Sequence, residues 1–241
     1  MKIILSPSKT QNWQQTNPLN GQQPLGWEKA KWLLLLMQAM PPETLGRVMK
    51  IKGNLLEKTY DLYQQIDPDY DLARVMDVYQ GVVFKELGAA YLPVEQQAYL
   101  EQHLVILSAM YGILQPDNLM YPYRLDMTMK PEGINLYHYW QDLILAYFSE
   151  VDWIVDLASA EFSKMLKPFE ERILRVEFKY KVGDAYRTVP SIEVKQQRGK
   201  MLRKMVAYQV KTMDDMYQMD WGEYLRDEQN TTRNRLVLIK R

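Results

Sequence analysis

Apolar positions in this chain recur in two rhythms, and each predicts an element type. Short apolar runs at residues 2–5, 103–107 and 153–157 read as strands, and residues 235–240 alternate as a final strand. Residues 173–182 and 185–189, joined through Gly183-Asp184, have the pattern of an antiparallel hairpin. Helical spacing covers residues 27–40, where Pro41-Pro42 stops it, and residues 43–65, where Lys52-Gly53 breaks it. Further helices are predicted over 70–87, 93–102, 135–150, 160–166 and 199–213. That at 135–150 carries an aromatic face of Tyr137, Tyr139, Trp140 and Tyr147, and Pro168 ends the one at 160–166. Residues 11–26 are polar and rich in Pro, Gly and Asn, so they read as a surface loop. Strands interleaved with helices, plus one hairpin, predict a mixed-sheet α/β class.

Composition narrows the chemistry. A chain of 241 residues with 47% hydrophobic and 12% aromatic content has material for a sizeable core. Formal net charge is zero, so any nucleic-acid surface is a local patch rather than a coat. The longest apolar stretch, residues 32–37, is far short of the ~20 residues a membrane span requires. A soluble, cytoplasmic protein is the expectation. Cysteine is absent, which excludes disulfides, thiolate nucleophiles and Cys-ligated clusters. His103 and His138 have no partner at metal-ligand spacing, so neither a metal nor another cofactor is expected.

Four segments carry candidate chemistry. Ser6-Pro-Ser-Lys-Thr10 follows the first strand and brings Ser6, Ser8, Lys9 and Thr10 to its carboxyl end, where they can cradle an anion. It lacks the glycines of a phosphate-binding P-loop. The loop after residues 103–107 holds Arg124 among Tyr121, Tyr123, Asp117 and Asp126, and its fork suits phosphate or carboxylate. A structural pairing of Arg124 with either aspartate is the competing reading. Leu157-Ala-Ser-Ala-Glu161 repeats the strand-to-loop arrangement; Ser159 suits helix capping, and Glu161 a general base without a visible partner. Residues 195–213 contain six cations and no acid. Lys200, Arg203 and Lys204 fall on the outer face there, while Arg198 projects inward just before Gly199, where the helix is expected to begin.

Eight pieces stand in order along the chain: Leu5-Ser-Pro-Ser-Lys-Thr10, Tyr79-Gln-Gly81, Leu107-Ser-Ala-Met-Tyr-Gly-Ile-Leu114, Tyr121-Pro-Tyr-Arg-Leu-Asp126, Leu136-Tyr-His-Tyr-Trp140, Leu157-Ala-Ser-Ala-Glu161, Lys167-Pro168 and Gln197-Arg-Gly199. Together they resemble the YaaA-type peroxide-stress-resistance family over nearly the whole length. Ala109, Gln115 and Gln80 stand where the family often has Gly, Arg and Lys. The resemblance implies one mixed-sheet body over residues 1–241, with helices around it and a helix-hairpin-helix-like insert near residues 43–65. It also implies a DNA-binding role in the response to hydrogen peroxide. In that reading Lys50, Lys52, Lys200, Arg203 and Lys204 contact DNA phosphates. A cleft of Lys9, Tyr111, Tyr123, Arg124 and Arg198 takes a strand or a displaced base. The alternative is an enzyme acting on a nucleotide or nucleobase in the same cleft, with Ser159 or Glu161 doing chemistry.

Overall fold

In a computed structural model of the chain, residues 1–12, 21–67, 72–183 and 185–241 are described. Ten strands appear in chain order: β1 (Lys2–Leu5), β2 (Ala73–Arg74), β3 (Leu104–Ser108), β4 (Gly112–Leu114), β5 (Leu119–Met120), β6 (Ile154–Asp156), β7 (Ile173–Val182), β8 (Ala185–Thr188), β9 (Tyr224–Arg226) and β10 (Arg235–Lys240). The main sheet runs β4-β3-β1-β6-β7-β10-β9, with β8 added along β7. Its interior pairings, β3–β1, β1–β6, β6–β7 and β7–β10, are parallel, and β4, β8 and β9 pair antiparallel. β2 and β5 make a separate antiparallel pair.

The apolar runs explain the parallel centre. Ile3, Ile4 and Leu5, the whole of β3, and Leu236 to Leu238 in β10 are buried, as strands covered by helices on both faces require. β7 instead alternates, with Leu174, Val176 and Phe178 inward and Arg175, Glu177 and Lys179 half-exposed, before running out into the hairpin with β8. Helix Trp27–Ala39 buries Trp27, Ala30, Leu33, Leu34 and Met37, a stripe at helical spacing.

Several predicted boundaries move. Residues 70–87 do not form one helix. Ala73–Arg74 is a strand, and Val75–Val78 and Val82–Leu87 are separate helices parted at Tyr79-Gln-Gly81; the start of the predicted helix, residues 70–71, lies outside the described residues. The backbone is extended at Tyr79 and Gly81, and glycine is required at the second because a Cβ there would lie 2.5 Å from Ser8 Oγ. Residues 135–150 divide into Leu136–Tyr139 and Gln141–Phe148 at Trp140. The last long helix is Ser191–Ala207, so it starts eight residues before Gly199, and Met213–Gln218 is a further helix with its own Thr212 capping box. Residues 43–65 form helices Pro42–Met49 and Asn54–Gln65 around a turn where Lys50 has a left-handed backbone. Residues 13–20 of the predicted loop and Asp184 of the predicted hairpin turn lie outside the described residues. No helix among the described residues is long and apolar enough to cross a membrane.

Candidate functional site

β1 and β6 lie side by side, but the chain leaves them in opposite directions, from β1 to β3 and from β6 to β7. A crevice opens where the carboxyl ends of such strands diverge, and polar loop residues collect there. Here the loops beginning at Ser6 and Leu157 are locked together. Ser6 Oγ accepts from the Ser159 amide at 2.8 Å and donates to Ser159 Oγ at 3.2 Å. Ser159 does precede helix Ala160–Ser163, yet its hydroxyl makes no capping bond; the partner is Ser6, not the helix.

The resulting cleft holds about 480 Å³. Its lining divides by chemistry. Val82, Val83, Phe84, Leu157 and Phe162 are apolar, Ser6, Ser8, Thr10, Ser159, Glu161 and Ser191 are polar, and Lys9, Lys195 and Arg198 supply charge. Glu161 is held in place because its Oε1 accepts from the Met127 amide at 2.8 Å, leaving Oε2 for a ligand. Ser8 is buried and fixed, its hydroxyl donating to the Thr10 carbonyl and accepting from the Thr10 amide. It stabilises the loop, and its oxygen has little capacity left for an anion.

The Arg124 loop is gripped from three sides. Gln11 pairs with the Tyr123 backbone in both directions, accepting from its amide and donating to its carbonyl at 3.0 Å each. Tyr63 hydroxyl does the same to Arg124, and Tyr111 hydroxyl to Tyr121. Beneath the loop, Ser108 Oγ accepts from the amides of Met110 and Tyr111, which occupies both lone pairs. Its proton therefore goes to Tyr123 hydroxyl at 2.8 Å, and the Tyr123 proton goes on to Tyr79 at 2.9 Å. Burial pushes the Tyr123 hydroxyl up to about 12, so this chain stays protonated and neutral.

This bracing separates the predicted tyrosines. Tyr111 is fully buried with its hydroxyl bonded to Tyr121, so it supports the loop and lines no cleft. Tyr123 reaches a small crevice of about 30 Å³, shared with Arg124, Asp126 and Lys9. That crevice adjoins the main cleft through Pro7, Ser8, Lys9 and Phe162, which line both. Lys9 bridges them and pairs with Asp126 at 2.6 Å. Among the described residues Arg124 makes no ion pair, and its buried Nε has no partner. Neither Asp117 nor Asp126 braces it.

Arg198 reaches the main cleft from the middle of helix Ser191–Ala207, not from its N-terminus. No free helix amide therefore stands beside it. Gly199 explains its position. A Cβ there would lie 2.5 Å from the Val83 carbonyl and 2.6 Å from Glu86 Cβ, so glycine lets this helix close on Val82–Leu87. The Arg198 guanidinium makes no hydrogen bond or ion pair among the described residues, and its Nε is buried without a partner. Burial lowers its pKa, with Asp156 opposing that shift.

The remaining predicted cations lie elsewhere. Lys50 and Lys52 are exposed at the turn between the two short helices. Lys200 stands 4.0 Å from Glu223, and Lys204 donates to the Asp220 carbonyl at 2.6 Å. Arg203 donates to the Leu87 carbonyl at 3.0 Å, capping helix Val82–Leu87. This face is partly committed to the fold. Periodicity missed Gly81, Phe84, Phe162 and Lys195 as cleft residues; Lys195 carried a signal as part of the cation run, and Gly81 as part of Tyr79-Gln-Gly81. Among the described residues no three His, Cys, Asp or Glu side chains stand close enough to hold a metal.

A family model described as peroxide stress protein YaaA matches residues 1–230. A UPF0246 protein of Fusobacterium nucleatum is 31% identical over 95% of this chain and 97% of its own length. UPF0246 proteins of Bordetella avium and Desulfitobacterium hafniense are 30% and 31% identical over the whole chain, covering 99% and 98% of theirs.

Proposed function

This chain belongs to the YaaA peroxide stress protein family, and from that membership we propose that it binds DNA during hydrogen peroxide stress, shielding it and limiting iron-dependent damage. One observation carries the DNA part. Arg198 lines the cleft at the diverging strand ends with its guanidinium unpartnered, in a cleft it shares with Lys9 and Lys195. A half-buried arginine without a hydrogen-bonded carboxylate is what a phosphate site needs, since its fork donates to two phosphate oxygens. Phe84 and Phe162 give a displaced base apolar surface, and stacking of that kind contributes about 1–3 kcal/mol per base. Lys50 and Lys52, exposed at a tight turn, add contacts to the duplex backbone. Lys200, Arg203 and Lys204 contribute less, because each is engaged with a neighbouring segment.

Binding of this kind is sequence-independent and sensitive to salt. The test is anisotropy of one labelled duplex at two salt concentrations, then of several sequences at one. Affinity should fall steeply with salt and vary little with sequence. Salt-independent binding, or one strongly preferred sequence, would overturn the proposal.

A second reading is favoured by Glu161. Its carboxylate is pinned by the Met127 amide and faces the same cleft as the Ser6–Ser159 pair, an arrangement suited to acid–base chemistry on a nucleotide or nucleobase. Incubating the protein with nucleosides, nucleotides and DNA, and resolving the products by chromatography, separates the readings. Turnover lost in Glu161→Gln with nucleotide binding retained favours the enzyme.

A further inference from the structure

A second cleft, of about 370 Å³, opens on the other side of Arg198, at the end of β6 and beside Arg175, Val176 and Glu177 in the first half of β7. Its lining includes Asp156, Lys164, Lys167, Glu170, Arg175 and Glu177, and Arg198 is the one residue it shares with the first cleft. By composition the second cleft looks balanced, but its acids are already satisfied. Glu170 is held by a bidentate pair with Arg175, and Glu177 pairs with Lys179 at 2.7 Å. Asp156 is buried and accepts from the Ala158 amide at 2.9 Å. Lys164 and Lys167 are exposed, and neither makes a hydrogen bond or ion pair among the described residues. The charge left without a salt bridge is therefore mainly positive: two lysines at the rim and one arginine at the partition, against the buried Asp156 alone.

From this arrangement we infer that the two clefts form one groove for a single-stranded DNA segment, whose phosphodiester crosses Arg198 while Lys164 and Lys167 hold the next phosphate. The inference rests on the nucleic-acid reading of the first cleft and narrows it. Arg198 has donors enough for both sides of the partition, since a guanidinium carries five N–H groups. A base in the first cleft, among Phe84 and Phe162, leaves its backbone at the mouth, where Arg198 and Lys195 lie. A strand continuing past Arg198 then meets the free lysines of the second cleft. A rigid duplex cannot enter a cleft of this size, so a strand must be separated before it occupies the groove.

The test compares wild type with a Lys164→Glu/Lys167→Glu double variant. The probes are a short fluorescein-labelled single strand, the same strand annealed to its complement, and thymidine monophosphate followed by calorimetry. Both lysines are exposed in the short helical segment Lys164–Arg172, whose Met165, Leu166 and Phe169 are buried, and a circular dichroism melt checks that the variant folds. Single-strand affinity should drop at least about tenfold, and its log–log salt slope should become shallower by about 0.7, the value for the one phosphate the two lysines hold. Thymidine monophosphate affinity should stay within about twofold, because one nucleotide occupies only the first cleft. Arg198→Ala should weaken both ligands. Equal loss for both ligands in the double variant, or unchanged single-strand affinity, overturns the groove. Wild type that binds duplex but not single strand overturns this inference alone; wild type that binds no DNA overturns the DNA reading as well.

Discussion

Tyr63 hydroxyl donates to the Arg124 carbonyl at 2.8 Å and accepts from the Arg124 amide at 3.2 Å. One side chain from a helix distant in sequence thus fixes the backbone of the arginine while leaving its guanidinium unbound. Positioning and binding are divided between two residues, and mutation separates them.

Tyr63→Phe keeps the buried ring and removes only the hydroxyl. The Arg124 amide and carbonyl lose their partner, which costs about 1–3 kcal/mol when such groups stay buried. Denaturant titration should show a lower midpoint with an unchanged slope. A midpoint equal to wild type would mean that Tyr63 does not hold this loop.

Arg124→Ala should leave thermal stability nearly unchanged, because the side chain makes no ion pair among the described residues. DNA affinity and peroxide survival should fall further than in Lys200→Ala, which removes one half-engaged surface charge. Melting temperature and survival are measured together. If Arg124→Ala melts many degrees lower and its survival merely follows lost protein, the arginine is structural.

Gly199→Ala places a methyl group against the Val83 carbonyl and Glu86 Cβ. Two helix backbones must separate to admit it, at about 1–3 kcal/mol. The same movement carries Arg198 away from the cleft, so DNA affinity should fall together with stability. Normal stability with normal binding would contradict the close helix crossing.

Asp156 sits at the end of β6, and burial raises its pKa above the usual carboxylate value of 3.8. The charged form is then disfavoured in the folded protein. This penalty is absent below the unfolded value and grows as pH rises from 3.8 through the raised folded value. Asp156→Asn keeps an oxygen for the Ala158 amide and removes the charge, so it should melt higher than wild type at neutral pH. The difference should vanish in acid below the ordinary aspartate range. A variant less stable than wild type at neutral pH would show that a hydrogen bond with Ser163 and the attraction of Arg198, both of which favour the charged form, outweigh desolvation.

The longer strands and most helices follow from local patterns, because continuous apolar runs and helical stripes are written within ten or fifteen residues; β2, β4, β5 and β9, of two or three residues each, are too short to carry such a pattern. Ser6 and Ser159 could each be seen to follow a strand, but their contact depends on β1 pairing with β6, a relation without a local signature. Two glycines misled the periodic reading in opposite ways. Gly81 hid a break, since its helix halves share one apolar rhythm, and Gly199 suggested a helix start where it serves a close approach. The second cleft was invisible for a related reason: Lys164 and Lys167 look like ordinary surface charge until the acids beside them are seen to be paired.

The central place of β1 has a consequence for how the chain is made. Ile3 pairs with Leu104 on one side and with Val155 on the other, so both neighbours are translated long after it. During synthesis this apolar strand emerges with two open edges and no native partner, the kind of segment that invites pairing between nascent chains. Sheet closure must await the β6 segment, which makes folding slow and governed by long loops. Chaperone supply, rather than final stability, is then expected to set the yield of functional protein in a stressed cell.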